Sequence, residues 1–212
     1  MHQNPISNYF EGFDLGKDRD FSAIGILAHK IENDGPFDRA QFIQPTRHVV
    51  ELTGLIRIPL GTEYLEVIRR FRDINTKLLS SNPFGYREPK VHVVVDSAGP
   101  GQIAVEMIRQ QKLNIHIVPT LLTGGTESNR LKGGKVTIPR RELISNARFL
   151  LETGSLRIAQ GLKYGALLEG ELAAIRAQGG QSNHDDLAIA VGLAAWHAVK
   201  VFPALRRGRL AA

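Results

Sequence analysis

Hydrophobic and polar residues alternate in the N-terminal third of the chain, which is typical of β-strands with one buried face. Residues 9–15 and 21–31 are two such segments separated by the polar run GKDRD, and they predict a β-hairpin. A third strand is predicted over residues 48–61, with a break or bulge at Gly54. Thr62 then precedes apolar residues at helical spacing, so we predict a long amphipathic helix capped by Thr62.

The rest of the chain alternates between strand and helix patterns. KVHVVVD (residues 90–96) is a nearly continuous β-branched run, as expected for a central strand buried on both faces. A helix over residues 102–111 and a strand over 114–119 complete a βαβ unit. The Gly- and Thr-rich segment 120–134 is polar and predicts a mobile loop. Short strands are predicted at 135–139 and 154–160, and helices at 141–152, 164–178 and 186–201.

This order of elements predicts one α/β domain over residues 1–212. Its core would be a mixed β-sheet of at least five strands, with five or six expected, flanked by helices on both faces.

Composition narrows the chemistry. The chain has no cysteine, which excludes disulfides, thiolate metal sites and cysteine nucleophiles. Any metal must therefore be bound by carboxylate or imidazole, which favours hard ions. No apolar run reaches the roughly 18 residues of a membrane span, and the N-terminus is polar, so we predict a cytoplasmic protein. The net charge of +6 is compatible with a polyanionic partner without proving one.

Acidic residues stand at the ends of three predicted elements. Asp14 ends the first strand, Asp96 ends the buried strand, and Asp185 with Asp186 opens the last helix. Ligands of open α/β sheets bind beyond the carboxyl ends of strands, so Asp14 and Asp96 converge if their strands are parallel neighbours. Carboxylates brought together repel one another, and bound cations relieve that repulsion. The motifs predict a site for Mg²⁺ or Mn²⁺, with two ions for phosphodiester hydrolysis.

The adjacent aspartates should differ in role, because successive helix residues point about 100° apart. With Asn183 as the helix cap, we expect Asp186 to bind metal and Asp185 to bridge or support it. Asp20 is a further candidate ligand. Taken singly, each motif also fits a structural role: a turn carboxylate at Asp14, a turn cap at Asp96, helix capping at 185–186, and a solvated hairpin residue at Asp20.

Basic residues cluster in the segment that precedes the third predicted helix. Cationic side chains on a Gly-rich segment can follow phosphates without reading bases, so we predict DNA contacts there, although an ordinary solvated loop has the same composition. The candidates are Arg130, Lys132, Lys135, Arg140 and Arg141, with Lys17 beside the metals. His184 adjoins the acidic pair, whereas His48, His92, His116 and Trp196 are interpreted as structural.

The motifs, in this order, resemble the nuclease domain of phage large terminases over nearly the whole chain. The segments that carry the resemblance are GFDLGKDRDFSAI, HVVELTGLIRIPLGTEYLEVIRRF, VHVVVDSAGPGQIAVEMI, VTIPRRELISNARFLLETGSLRI and NHDDLAIAVGLAAW. The resemblance implies an RNase H-like fold and two Mg²⁺ or Mn²⁺ ions on Asp14, Asp96 and Asp186, with Asp185 and Asp20 as auxiliaries. It also implies cleavage of double-stranded DNA during genome packaging, in the cytoplasm of a bacterial host if the gene belongs to a phage or prophage.

One departure concerns the ATPase motor that large terminases carry before this domain. No segment matches G-x-x-x-x-G-K-[ST], and GGTESNRLKGGK lacks Ser or Thr after its lysine. We therefore expect that the chain does not translocate DNA alone and that it works with a separate motor, a portal or a small terminase subunit. The sequence leaves open an isolated domain, a split gene product or a prophage remnant.

Three other functions fit parts of the pattern. A Holliday-junction resolvase would share the fold and the metal chemistry. A degenerate module would bind DNA or a packaging partner without cutting. An actin-like or sugar-kinase-like ATPase would use the turns after Asp14 and Asp96 to bind nucleotide, but such proteins usually need two large lobes.

Overall fold

The computed structural model describes residues 8–16, 20–81, 89–177 and 185–207, and the architecture below refers to these ranges. Eight strands and five α-helices lie within them. The strands are β1 (Asn8–Asp14), β2 (Ser22–Asn33), β3 (Thr46–Ile58), β4 (Lys90–Asp96), β5 (Ile115–Thr123), β6 (Asn129–Arg130), β7 (Val136–Pro139) and β8 (Leu156–Ile158). The helices are α1 (Tyr64–Ser80), α2 (Gly101–Gln110), α3 (Arg140–Glu152), α4 (Gly165–Ala177) and α5 (Asp186–Val201).

All eight strands belong to one mixed sheet in the order β6-β7-β5-β4-β1-β2-β3-β8. The predicted hairpin is confirmed, because β1 and β2 pair antiparallel. On its other side β1 pairs parallel with β4, and β4, β5 and β7 continue the sheet in parallel. The sheet is wider than the five or six strands expected, because short segments such as β6 and β8 extend its two edges.

The sheet is covered on both faces, as predicted. The side chain of Phe13 packs with α1, where its ring stacks on Phe71 at a centroid distance of 5.4 Å. Phe10, three residues earlier and on the opposite face, packs with residues of α5. Residues 186–199 of α5 are all buried, which explains why this helix is rich in alanine and almost free of charge.

The irregularity in β3 lies beside Gly54, as predicted. Ile26 pairs with Gly54 and Leu27 pairs with Leu52, so Thr53 is the extra residue of a β-bulge.

Three local predictions were wrong. The side chain of Thr62 donates to the carbonyl of Pro59, and Glu63 is the residue that precedes α1. Segment 120–134 is not simply a loop, because β5 extends to Thr123. Thr120 is buried, and its side chain donates a hydrogen bond to the neighbouring strand β4. Helix α5 begins at Asp186 after Asp185, so Asp186 is its first residue rather than its third; Asn183 lies outside the described residues.

Within the described ranges, none of the helices combines the length and the apolar character that crossing a membrane requires.

Candidate active site

Asp14 and Asp96 lie at the same edge of the sheet because β1 and β4 are parallel neighbours. Phe13 pairs with Val95, so the two aspartates occupy the next position on each strand. Alternation along the strands puts Asp14 on the same face as Gly12, which contacts α5. Asp96 shares its face with Val94, which packs against α5 residues in a small core cluster. This is the convergence predicted for parallel neighbours.

Helix α5 adds its acidic N-terminus to this edge. A Cβ atom at Gly12 would overlap the carbonyl oxygen of Ala190, so helix and strand backbones touch there. Asp186 precedes Ala190 by one turn, or about 6 Å, and Asp14 follows Gly12 by two strand residues, or about 6.6 Å. The charge of Asp186 acts on the carboxyl of Asp14, so the two side chains lie within electrostatic range of each other.

Burial and mutual repulsion disfavour ionisation of this cluster. Burial raises the pKa of Asp14 well above its usual value, and the charges of Asp96, Asp186 and Asp185 raise it further. Burial also raises the pKa of Asp96 and of Asp186. The carboxylates thus lie within range of one another's charge, in a place where water cannot fully compensate for it.

Two arginines partly neutralise the cluster. Arg57 on β3 donates from Nη2 to Oδ2 of Asp186 at 3.2 Å, and its guanidinium carbon lies 3.6 Å from the ring centroid of Phe21. Arg140 donates to Asp185. Sequence reasoning placed Arg140 on a DNA-contacting loop, but it is the first residue of α3 and is paired with the acidic site. Arg57 was missed because a lone arginine in a strand gives no signal of its partner.

The other predicted residues are distributed unevenly. Asp20 is exposed, and its charge raises the pKa of Asp186. The charge of Lys135 lowers the pKa of Asp96. Arg141 lines a cavity of about 720 Å³ together with Arg140. Arg130 lines a different cavity, beside β5. The side chains of Lys17, Lys132 and His184 lie outside the described part of the chain.

Glu171 is an acidic neighbour that the sequence analysis missed. Its Oε2 accepts a hydrogen bond of 2.9 Å from the backbone N–H of Ala188, in the first turn of α5. Burial raises its pKa to about 7, and the charges of Asp186 and Asp185 contribute to this rise. A glutamate on the apolar stripe of a helix, between the buried Leu168 and Ile175, was the signal that could have found it.

The residues at this edge fit a hard divalent cation. Their donor atoms are carboxylate oxygens, the ligands that Mg²⁺ and Mn²⁺ prefer. A buried oxygen of Glu171, Oε1, has no hydrogen-bond partner among the described residues. In this part of the chain the aspartates do not form a set of three with ligand atoms within 4.8 Å of one another. Asp185 and Asp186 pair with arginines through Oδ2 instead, so a cation bound there would compete with Arg57 and Arg140.

Comparison with solved structures identifies the fold. The human cytomegalovirus terminase nuclease domain, in a Mn-soaked and inhibitor-bound form, superposes with a TM-score of 0.57 and 11% identity, over 94% of this chain and 86% of that chain. The large terminase nuclease of thermophilic phage G20c matches with a TM-score of 0.45 and 18% identity, over 88% of this chain and 80% of that chain. Thermus thermophilus RuvC matches with a TM-score of 0.41 and 13% identity, over 91% and 94% of the two chains.

No family model and no curated protein matches the sequence. The structural agreement confirms the predicted architecture: the chain has an RNase H-like fold and, in its fold, resembles the cytomegalovirus terminase nuclease domain.

Proposed function

We propose that this chain is a metal-dependent endonuclease that hydrolyses phosphodiester bonds of double-stranded DNA, as in viral genome packaging. The observation that carries the proposal is the cluster of carboxylates from β1, β4 and α5 at one edge of the sheet, where burial and repulsion disfavour ionisation. Such an arrangement costs stability unless positive charge offsets it, and the two arginine pairs offset it only in part. The shared fold with a terminase nuclease domain that was soaked with Mn supports the same conclusion.

In this proposal Asp14, Asp96 and Asp186 hold two ions, Mg²⁺ or Mn²⁺, and Asp185 and Asp20 assist them. Such ions supply the positive charge that polarises the scissile phosphodiester and offsets the charge of its transition state. The donors lie on two strands and a buried helix, which fix the backbone positions, so binding would require mainly that the side chains turn towards the ions and leave their arginine partners. Arg57 and Arg140 hold the carboxylates in place until a cation binds.

The DNA would approach along the cavity that adjoins Arg140. Its lining combines Arg140, Arg141 and Arg148 with apolar side chains of α3 and α4, and Arg141 is exposed. Cationic side chains beside an acidic metal site can hold the phosphate backbone while the scissile bond lies over the carboxylates. Lys17, Lys132, Lys135 and Arg130 remain further candidates for phosphate contacts. A separate ATPase motor, a portal or a small terminase subunit, in the bacterial cytoplasm, would deliver the DNA.

The test is cleavage of supercoiled plasmid with Mn²⁺ by wild-type protein, by Asp96→Asn and by Asp73→Asn. Asp73 is an exposed aspartate of α1, paired with Arg72 and away from the cluster, so it provides a matched control. We expect nicked and linear DNA from wild type and D73N, none with chelator, and a loss of at least about a hundredfold in D96N.

Two results would contradict the proposal. Equal cleavage by D96N and wild type would place the active centre elsewhere. DNA binding without cleavage, in every divalent ion tried, would show a degenerate binding module. A strong preference for branched over linear duplex would keep the metal chemistry but replace packaging by junction resolution.

A further inference from the structure

Three histidines meet on the α5 face of the sheet, away from the acidic cluster. His92 on β4 pairs directly with His116 on β5, so the two imidazoles are neighbours across parallel strands. His197, near the end of α5, covers them from above, with ring centroids 5.2 Å from His92 and 6.0 Å from His116. The sequence pattern predicts structural roles for His92 and His116 and gives no link to His197.

The spacing of these imidazoles is that of ligands around a metal ion. One ligand nitrogen from each residue lies within 4.8 Å of the others. Nε2 of His197 and Nδ1 of His92 are 3.3 Å apart, longer than the usual N–H···N hydrogen bond. Two nitrogens bound to one tetrahedral ion at Zn–N distances of about 2.05 Å are separated by about 3.3 Å. His116 is exposed and can rotate to complete the set.

The state of the rings also suits coordination. Burial lowers the pKa of both His92 and His197 to about 4, so each is neutral at physiological pH. Neutral imidazole is the form that binds metal.

The charges around the histidines select the kind of ion. Lys90 lies in electrostatic range of His92, and Arg109, Arg130 and Lys200 line the adjoining cavity of about 590 Å³. Cationic surroundings oppose ions that are held mainly by charge, such as Mg²⁺ and Ca²⁺. Only ions that form strong bonds to nitrogen would bind despite this repulsion, and these are the late first-row transition metals.

This cluster is separate from the acidic one. Along β4, His92 and Asp96 are four residues apart, or about 13 Å. Along α5, His197 and Asp186 are eleven residues apart, or about 16 Å. An ion bound to the histidines therefore shares no ligand with the proposed active site.

We propose that His92, His116 and His197 form a second metal site, selective for Zn²⁺ and related transition ions, with a fourth coordination position open to the cavity lined by Arg109, Arg130 and Lys200. The open position would take water or an anion, because the cavity is lined by cations. The inference is independent of the proposed nuclease activity.

The chain's single tryptophan reports on this site. Trp196 lies beside His197, with ring centroids 6.2 Å apart. Ni²⁺ bound at the histidines should quench Trp196 fluorescence with a saturable 1:1 curve. Zn²⁺, which does not quench, should compete and restore the fluorescence, whereas excess Mg²⁺ should not. Co²⁺ should give the visible absorption of a tetrahedral nitrogen-bound ion.

The variant His116→Ala separates a metal site from aromatic packing. Because His116 is exposed, its loss should leave the fold intact while weakening Ni²⁺ binding by at least about tenfold. Two controls should bind as wild type does: His48→Ala, which alters the separate His29–His48 pair, and Asp96→Asn at the acidic cluster. Absence of saturable quenching, equal affinity in H116A and wild type, or displacement by Mg²⁺ would each overturn the proposal.

Discussion

At the residue scale, the protein is marked by acidic side chains that are buried on both faces of its sheet. Asp14 and Asp96 could be selected from the sequence because each ends a predicted strand, although a role in a turn also explains either one. Glu11 and Glu171 were missed, although a glutamate among the buried positions of a strand or helix is itself a signal. Only the packing shows that Glu11 faces Asn75 of α1, whose Nδ2 donates to its Oε2 at 2.9 Å.

Glu11 gives the stability of the protein a pH dependence. Burial raises the pKa of Glu11 from 4.5 to about 7. Because its pKa is higher in the folded than in the unfolded state, protonation of Glu11 favours the folded state. This contribution to the free energy of unfolding is fully present below pH 4.5 and is lost as the pH rises through 7. The shift corresponds to about 3 kcal/mol. In urea unfolding between pH 4.5 and 8, wild type should therefore lose about this much relative to Glu11→Gln.

Gln keeps the acceptor for Asn75 but cannot ionise, so the pH dependence alone should change. Glu106→Gln, at an exposed residue paired with Arg109, is the control and should follow the wild-type curve. Parallel pH curves for wild type and E11Q would show that Glu11 stays protonated or finds another partner.

At the element scale, the position of α5 decides where the acidic cluster forms. The helix rests on β1 and β2 at two glycines, Gly12 and Gly25, which pair with each other across the strands. The sequence predicted both strands and the helix but not their contact, because a glycine within a strand signals close approach without naming what approaches.

The two glycines should differ in what they tolerate. A Cβ at Gly12 meets helix backbone, which cannot yield without moving α5, so Gly12→Ala should cost about 3 kcal/mol. A Cβ at Gly25 would lie 3.0 Å from Cγ2 and 3.1 Å from the backbone nitrogen of Val191, whereas a Cβ at Gly12 would overlap the carbonyl oxygen of Ala190. A small shift of α5 relieves the contacts at Gly25, so Gly25→Ala should cost about 1 kcal/mol. Denaturant unfolding measures both. Equal losses would mean that α5 is not fixed by its contact with Gly12.

The segment 120–134 shows why polar composition misled the element prediction. Oγ1 of Thr120 donates to the carbonyl of Val95, and Oγ of Ser97 donates to the carbonyl of Thr120. Polar side chains that find such partners cost little when buried, so β5 continues where composition suggested a loop. The predicted helices and long strands were confirmed because each buries one or both of its faces, and this burial sets the spacing of hydrophobic residues from which they were predicted.

At the scale of the whole molecule, the proposed site is assembled from distant parts of the chain. Residues 14, 96 and 186 come within electrostatic range of one another only because β1 is central in the sheet and α5 crosses it. The sequence predicted that these residues lie close together, because they stand at the ends of predicted elements and because the motifs follow one another in this order. It could not show the arginine partners, the contact of Glu171 with α5 or the histidine cluster, since these contacts depend on register and on packing between elements.

A bound cation should stabilise the whole fold, because it relieves repulsion within the acidic cluster. At a Mn²⁺ concentration about 100 times the dissociation constant, the gain is about 2.7 kcal/mol. Thermal unfolding with and without Mn²⁺ should show this gain in wild type and in H116A, and little of it in D96N. A gain that D96N retains and H116A loses would assign the effect to the histidines instead.

The most direct test of the central claim is a crystal of the wild-type protein soaked in Mn²⁺ and measured at a wavelength where manganese scatters anomalously. We predict anomalous peaks between the carboxylates of Asp14, Asp96 and Asp186, with the arginine pairs of Asp186 and Asp185 opened. Arginine pairs that stay closed at full Mn²⁺ concentration, with no manganese peak among these aspartates, would contradict the account.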